Sequence, residues 1–233
     1  MKLGILKTGS PPQALARYGS YPAMFRALLG EGTHDYVVFD AEAGDLPSAV
    51  GACPAYLVTG SASDAYSDAA WILELKRFLR NAKGQAALVG ICFGHQIMAE
   101  AFGGRVTKSP KGWGIGSHTY EVLHPQAWTE GRTHITLPAS HQDQVVELPP
   151  AATVVAGSDF APYGVLAYGD QPAISFQLHP EFDEAYATAL IETKRSMGPS
   201  DGDIEAALAS ARAPDDRALV AGWINRFVAS SLS

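Results

Sequence analysis

The sequence predicts an α/β protein with an open, mostly parallel central sheet, helices on both faces of that sheet and a small antiparallel β region. In the first half of the chain, short continuous apolar runs alternate with helical patterns, as in parallel sheets covered by helices. In the second half, short strand patterns follow one another between Pro, Gly and Asp residues, as in antiparallel hairpins. A chain of 233 residues with this pattern fits a single domain over residues 1–233.

The strands and helices of the first half are delimited by apolar runs and by glycines. Strands are predicted at residues 3–6, 34–39, 55–58 and 87–91, and helices at 21–29, around 71–79 and at 95–102. Gly30 closes the first helix, because glycine readily adopts the backbone conformation in which helices end. Trp71, Leu75 and Phe78 share one face of the second helix, which predicts a stripe that packs in the core.

The second half adds a series of short strands and then further helices. The strands are predicted at residues 116–122, 133–137, 144–148, 153–156, 163–168 and 173–178, and the helices at 183–195, 203–211 and 215–228. No repeat, linker or low-complexity segment divides the chain, which favours one domain. Trp223 and Phe227 on the last helix are expected to pack in the core, and a homodimer contact is the alternative.

The composition is that of an ordinary globular protein and argues against several kinds of partner. Charged residues make up 18% of the chain and the net charge is −7. Without a cluster of Lys or Arg, neither nucleic acid nor an anionic membrane is expected to bind. The N-terminal apolar run is too short for a signal peptide or a membrane span, so a cytoplasmic location is expected. The histidines lack metal-ligand spacing and no phosphate-binding glycine motif occurs, so we expect no metal and no cofactor.

The sharpest signal for chemistry is the run GICFGHQ at residues 90–96, between a continuous apolar strand and a helix. A nucleophile elbow needs this setting, because small glycines permit the tight turn that presents the central side chain. The positive end of the helix favours the thiolate of Cys92, and the amide of Phe93 could donate to a developing oxyanion. The alternative is a buried structural cysteine, which the flanking glycines disfavour. His95 is expected to pack or cap.

A second signal is the sequence FQLHPE at residues 176–181. Pro180 cannot donate to a strand ladder, so the strand should end there and present His179 at the carboxyl edge of the sheet. Residues two apart in an extended chain project to the same side, so His179 and Glu181 could touch. A carboxylate beside an imidazole fixes its tautomer, as a cysteine hydrolase requires. The alternative, a surface histidine beside a solvated glutamate, is the poorer account once the elbow is considered.

Together these two motifs resemble the class I glutamine amidotransferases, in which Cys, His and Glu form a catalytic triad in that chain order. The resemblance covers almost the whole chain and implies the flavodoxin-like fold of that family. It implies that Cys92 attacks the side-chain amide of glutamine, that His179 transfers the proton and that Glu181 orients His179. Ammonia leaves, and water hydrolyses a γ-glutamyl thioester to glutamate. The order of the triad also differs from that of α/β-hydrolases, in which the acid precedes the histidine.

Further positions match the family pattern. The sequence TGS at residues 59–61 stands where the family has a glycine-rich turn that completes the oxyanion hole, so Gly60 is expected to share this role with Phe93 and Ser61 to line the substrate site. Gln96 matches the residue that contacts the amino-acid end of the substrate. Ser140 and His141 belong to a stretch that resembles the segment passing near bound glutamine. For His141, a structural role in a loop is the alternative.

The sequence leaves the substrate open. Residues 59–61, 64–66, 71–72, 90–97 and 111–112 look like the plant γ-glutamyl peptidases and their bacterial relatives. A glutamine amidohydrolase that works with a separate synthetase subunit is one hypothesis, since the chain past Glu181 is too short for a fused catalytic domain. A stand-alone γ-glutamyl peptidase is the second, and a non-catalytic binding module that keeps the fold is the third. Fold and triad alone do not decide between them.

Overall fold

The computed structural model describes residues 1–231. The strands are β1 (Lys2–Lys7), β2 (Asp35–Asp40), β3 (Ala55–Val58), β4 (Ala87–Ile91), β5 (Arg105–Lys108), β6 (Gly114–Val122), β7 (His134–His141), β8 (Asp143–Glu147), β9 (Ala152–Gly157), β10 (Val165–Tyr168) and β11 (Ala173–Phe176). The helices are α1 (Tyr21–Leu29), α2 (Ala70–Ala82), α3 (Phe93–Ala101), α4 (Glu184–Glu192), α5 (Asp201–Ala211) and α6 (Arg217–Ser230). The nine-stranded sheet has the order β2-β1-β3-β4-β11-β10-β9-β6-β7, and β5 pairs with β8 in a separate two-stranded sheet.

The central part of the sheet is parallel and buried on both faces. Strands β2, β1, β3, β4 and β11 run parallel, and every residue of β3 and β4 is buried. Strands β3 and β4 are continuous apolar runs because helices cover both faces of the sheet, so none of their positions faces water. The predicted α/β class is confirmed, and the predicted bounds of β3 and β4 agree with the structure.

The second half of the chain continues the same sheet with antiparallel strands. Strands β10, β9, β6 and β7 follow β11 in antiparallel pairing. The sequence predicts only one strand of the small β5–β8 pair, because β5 does not stand out as an apolar run. Three of its four residues, Arg105, Thr107 and Lys108, are polar, and only Val106 is buried.

Two apolar layers sandwich the sheet. Successive residues of each central strand point to opposite layers: Ile5 faces one and Leu6 the other. Helices α1 and α6 cover the first layer with Phe25, Leu29, Val220, Trp223 and Phe227. Helices α2 and α3 cover the second with Ile72, Leu75, Phe78, Ile97 and Met98. Trp223 and Phe227 therefore pack inside the protein, as expected, and the stripe on α2 lies in the core.

Several predicted bounds are wrong for local physical reasons. Helix α3 begins at Phe93 rather than at residue 95, because the turn is completed within Cys92. Strand β7 extends to His141, beyond residue 137, because pairing with β6 continues through Pro138. Strand β11 ends at Phe176, before residue 178. Within residues 1–231, none of the helices is both long and apolar enough to cross a membrane.

Replacing Gly94 with Ala should destabilise the fold by about 3 kcal/mol. A Cβ on Gly94 would lie 2.3 Å from the carbonyl oxygen of Val58, in a strand that is held on both sides. Gly202 is the matched control, since it is also the second residue of a helix and a Cβ there would approach nothing closer than 3.7 Å. Gly202→Ala should stabilise by about 0.5 kcal/mol. Urea denaturation of both variants checks this, and equal effects would contradict it.

Candidate active site

Cys92 lies in a sharp turn between β4 and α3, with φ 52° and ψ −102°. A residue other than glycine in such a conformation carries about 1–3 kcal/mol of strain. The turn is held by the Cys92 N–H, which donates to the Phe176 carbonyl at 2.8 Å. The glycines on either side let the helix approach the strand, since a Cβ on Gly90 would lie 2.6 Å from the backbone of Gly94. The structure therefore has the strained strand-to-helix turn that a nucleophile elbow requires.

His179 and Glu181 contact each other in a turn that follows β11. The Nδ1 atom of His179 lies 2.8 Å from Oε1 of Glu181, and both side chains are buried. The expectation of an extended chain here is wrong: β11 ends three residues earlier, and the Phe182 N–H bends back toward the His179 carbonyl at 3.4 Å. The ring of Phe182 stacks on the imidazole with centroids 4.0 Å apart. The turn thus fixes the carboxylate and the plane of the ring together.

The electrostatic environment of His179 favours its charged form. Burial disfavours the imidazolium, but the interactions with Glu181 and Cys92 outweigh it and raise the pKa of His179 to about 10. A protonated imidazole that faces a cysteine can donate a proton to a leaving group. The arrangement therefore suits acid–base chemistry at the sulfur of Cys92.

Gly60 lies against both side chains. A Cβ at this position would be 3.1 Å from Cε1 of His179 and 3.9 Å from Cβ of Cys92. Within residues 1–231, neither the N–H of Gly60 nor that of Phe93 donates to another group. Two free amides beside a nucleophile can stabilise an oxyanion.

Two buried threonines hold the Gly60 turn: Thr59, the first residue of the TGS sequence, and Thr8, which the sequence analysis did not single out. The Thr8 hydroxyl donates to the carbonyls of Thr59 at 2.9 Å and Gly60 at 3.1 Å. The Thr8 N–H in turn donates to the hydroxyl of Thr59 at 3.0 Å. Thr8 follows β1 and Thr59 follows β3, so this contact depends on the pairing of two strands distant in sequence.

A cavity of about 410 Å³ opens on Cys92. Of the residues that the sequence predicted for the site, those lining it are Gly60, Ser61, Cys92, Gln96, Ser140, His141 and His179. Phe93 and Glu181 lie behind the wall: Phe93 is fully buried and packs on Trp71 with ring centroids 5.6 Å apart. A cavity of this size suits a small molecule.

Gln96 and Ser61 reach the cavity while contributing to its framework. The Nε2 group of Gln96 donates to the carbonyl of Asp143 at 2.8 Å and to the side-chain oxygen of Gln177 at 3.2 Å. The hydroxyl of Ser61 accepts from the N–H of Ser63 at 3.1 Å. Gln96 therefore ties α3 to the start of β8, and Ser61 shapes the turn after β3.

The other two histidines near the site are buried and neutral. His141 approaches the carbonyl of Asp143 through Nδ1 at 3.2 Å, and burial lowers its pKa to about 3, with His118 and His179 acting in the same direction. His95 contacts the hydroxyl of Ser175 at 2.8 Å and burial lowers its pKa to about 3 as well. His95 thus packs inside the protein, as expected.

Other lining residues were missed by the sequence analysis. Tyr21 comes from the start of α1, Trp113 precedes β6, and Lys194 follows α4. None belongs to a recognisable motif, because tertiary packing alone brings these segments to Cys92.

A family model, glutamine amidotransferase class-I, matches residues 56–194. The chain belongs to this family. The match confirms the family that the elbow and the His-Pro-Glu sequence predict, and it confirms the predicted class of enzyme.

Curated relatives of this amidotransferase-family chain fall into several groups. A glutamine amidotransferase-like protein of Schizosaccharomyces pombe is 28% identical over 86% of this chain and 94% of its own length. Gamma-glutamyl peptidase 5 of Arabidopsis thaliana is 28% identical over 75% and 73%. A glutamine-hydrolyzing GMP synthase subunit of Methanopyrus kandleri is 34% identical over 46% and 57%. A crystal structure of a glutamine amidotransferase from Thermotoga maritima superposes with a TM-score of 0.78 at 18% identity, covering 98% of both chains, and supports the fold.

Replacing Glu181 with Gln should lower the pKa of His179 by about one to three pH units, because the carboxylate stabilises the imidazolium. The measurement is an NMR titration of labelled histidine rings, with the His179 signal assigned from a His179→Gln protein. Glu184→Gln is the matched control, since Glu184 is exposed at the start of α4. An unchanged midpoint in Glu181→Gln would show that the 2.8 Å contact does not govern the charge of His179.

Proposed function

We propose that this protein hydrolyses an amide bond at the γ-carbonyl of a γ-glutamyl compound, glutamine or a γ-glutamyl peptide, through a thioester on Cys92. The observation that carries the proposal is the buried His179–Glu181 pair, 2.8 Å apart, beside a cysteine in a strained turn. The γ-glutamyl peptidases and glutamine-hydrolyzing GMP synthases among the relatives support this class of substrate. The cavity onto which Cys92 and His179 open is of a size for such a molecule.

In the first half of the reaction, the thiolate of Cys92 attacks the γ-carbonyl carbon. A C–S bond forms and the C=O π electrons move to oxygen, which becomes an oxyanion. The imidazolium of His179 then protonates the nitrogen, and the C–N bond breaks as the carbonyl re-forms. Ammonia or an amine leaves, and a γ-glutamyl thioester remains on Cys92.

In the second half, His179 is neutral and acts as a base toward water. The resulting hydroxide attacks the thioester carbon, the C–S bond breaks, and glutamate leaves. The imidazolium and thiolate are restored together. Glu181 orients the ring throughout and stabilises its charged form.

The oxyanion of each step is stabilised by the N–H groups of Gly60 and Phe93. Both are free within residues 1–231 and both flank Cys92 in space or sequence. Such fixed donors act strongly because they are oriented before the charge develops. Any side chain at Gly60 would intrude on His179, which accounts for glycine there.

A second candidate is a glutaminase that supplies ammonia to a separate synthetase subunit. The likeness to the glutamine-hydrolyzing GMP synthase subunits of Methanopyrus kandleri and Archaeoglobus fulgidus favours it. The chemistry on Cys92 is the same, and only the leaving group differs. A non-catalytic binding module is less well supported, since the nucleophile, the base and the free amides are all present together.

Replacing Cys92 with Ala should abolish release of glutamate from glutamine and from γ-glutamyl peptides, because Cys92 is the thiol that lines the cavity within the described residues. Cys53→Ala is the matched control, since Cys53 is buried in the core beneath Tyr56 and should leave turnover intact. Glutamate is measured by coupled assay with glutamine, glutathione and γ-glutamyl dipeptides as substrates.

The pattern of products decides between the two candidates. Cleavage of γ-glutamyl peptides in preference to glutamine by the protein alone would support a stand-alone peptidase, whereas ammonia from glutamine with the peptides left intact would support the glutaminase. Glutamate production by the Cys92→Ala protein would overturn the mechanism.

Replacing Thr8 with Val should lower kcat about tenfold with little change in KM, because misplacing an oxyanion donor affects the transition state more than the bound substrate. Val keeps the shape of Thr but removes the hydroxyl that holds the carbonyls of Thr59 and Gly60. Thr8→Ser keeps the hydroxyl and should retain most activity. A Thr8→Val protein as active as wild type would mean that these hydrogen bonds do not position the Gly60 amide.

A further inference from the structure

A second cavity, of about 680 Å³, adjoins the one at Cys92. The two share Trp113, Gln142 and Met197 as lining residues. The indole N–H of Trp113 donates to the carbonyl of Met197 at 3.2 Å, which joins the start of β6 to the segment after α4. The two cavities therefore meet at a wall built on Trp113.

Lys194 stands at this wall on the side of Cys92. Its Nζ atom lies 4.0 Å from the centroid of the Trp113 ring, and its side chain lines the Cys92 cavity. Within residues 1–231 it forms no ion pair and no side-chain hydrogen bond, whereas Lys7, Lys76 and Lys83 each pair with a carboxylate. The aromatic ring holds the ammonium in place without neutralising it.

The surroundings of Lys194 favour an anion as its partner. The side chain is half-buried, and this burial lowers the pKa of Lys194, while the interaction with Cys92 acts in the opposite direction. A partly desolvated cation without a counter-ion gains most from a carboxylate that enters the same cavity. Glutamine has a carboxylate only on its amino-acid end. A γ-glutamyl peptide has another on its leaving group.

The second cavity, which lies beyond Trp113, indicates which of the two carboxylates Lys194 contacts. Ammonia as a leaving group is far too small to fill a second cavity of about 680 Å³. An amino acid or a short peptide attached to the γ-carbonyl would extend from Cys92 along the cavity wall and could enter this space. Lys194 lies where the two cavities meet, and a leaving group that passes Trp113 passes its ammonium as well.

We propose that Lys194 binds the carboxylate of the leaving group and so selects γ-glutamyl amino acids and short γ-glutamyl peptides over glutamine, with Trp113 holding the ammonium in position. This proposal rests on the proposed hydrolysis of γ-glutamyl amides. It adds a specificity residue and a subsite to that activity. The carboxylate on the amino-acid end of the γ-glutamyl part is the other group that would bind Lys194 in the same way. The test separates these two carboxylates.

The test compares γ-glutamylalanine and γ-glutamylalanylglycine with their C-terminal amides, which differ only in the carboxylate of the leaving group. Wild type should favour the free acid of at least one pair by about tenfold in KM, as expected for a charge-assisted contact. Lys194→Met should lose this preference with kcat little changed, and Lys194→Arg should keep most of it. Lys83→Met is the control, because Lys83 forms an exposed ion pair with Asp170 and should behave as wild type.

The outcomes distinguish the sources of the effect. A KM that rises equally for acids and amides in Lys194→Met would assign the contact to the carboxylate of the γ-glutamyl part and overturn the proposal. A fall in kcat alone, equal for all substrates, would mean that Lys194 acts on the thiolate and would also overturn it. Equal KM values for the acid and the amide in the wild-type protein would also overturn the proposal.

Binding to an inactive protein separates failure of this proposal from failure of the proposed function. Calorimetry with the Cys92→Ala protein should show tighter binding of the acid than of the amide, and the difference should vanish in the Cys92→Ala, Lys194→Met double variant. If wild type cleaves none of the four compounds but this difference is present, the subsite holds and the hydrolysis is wrong. If the difference is absent, the subsite is wrong whatever the turnover.

Discussion

The close approach of helix α3 to strands β3 and β4 is the constraint on which the rest of the site depends. Gly90 and Gly94 make it possible, because a Cβ on either would lie within 2.6 Å of backbone atoms. With the helix this near, the connecting residue has no relaxed conformation available, and Cys92 is held at φ 52°. The packing energy of the surrounding core offsets this local strain. The strained turn at Cys92 persists because the tightly packed layers around it prevent its backbone from relaxing.

The arrangement of the sheet then brings His179 close to Cys92. Strand β11 is the point where parallel pairing with β4 gives way to antiparallel pairing with β10. Phe176 pairs with Ile91, so the chain beyond β11 leaves the sheet beside the turn at Cys92. The turn that follows buries a carboxylate and an imidazole together, at a cost in desolvation. Glu181 and Cys92 together raise the pKa of the buried His179, which favours its charged form.

The parts of this site that the sequence predicted are those encoded by neighbouring residues. The glycines around Cys92 and the His179–Glu181 spacing are local signals. The apolar runs of β3 and β4 likewise begin and end where the strands do. Thr8 and Lys194 could not be found in this way, since each acts through a partner on a distant segment: Thr59 for the first, Trp113 for the second. A short polar strand such as Arg105–Lys108 is likewise specified by its pairing with β8. Local patterns therefore predict Cys92, His179 and Glu181, whereas the residues that surround them are specified by tertiary contacts.

The residues that local patterns predict and those that tertiary contacts bring together also differ in their proposed roles. In the proposed reaction, Cys92, His179 and the amides of Gly60 and Phe93 act at the γ-carbonyl group and its nitrogen, and these groups are the same whatever amine leaves. The second cavity, in which we place the leaving group, is lined by a different set of residues that includes the segments before β6 and after α4. These segments lie outside β4 and α3, the two elements that flank Cys92. Within residues 1–231 the ammonium of Lys194 has no counter-ion, and a half-buried cation held on an indole ring is costly unless a ligand neutralises it. A ligand that does so must carry its negative charge at the wall between the two cavities, where Lys194 lies.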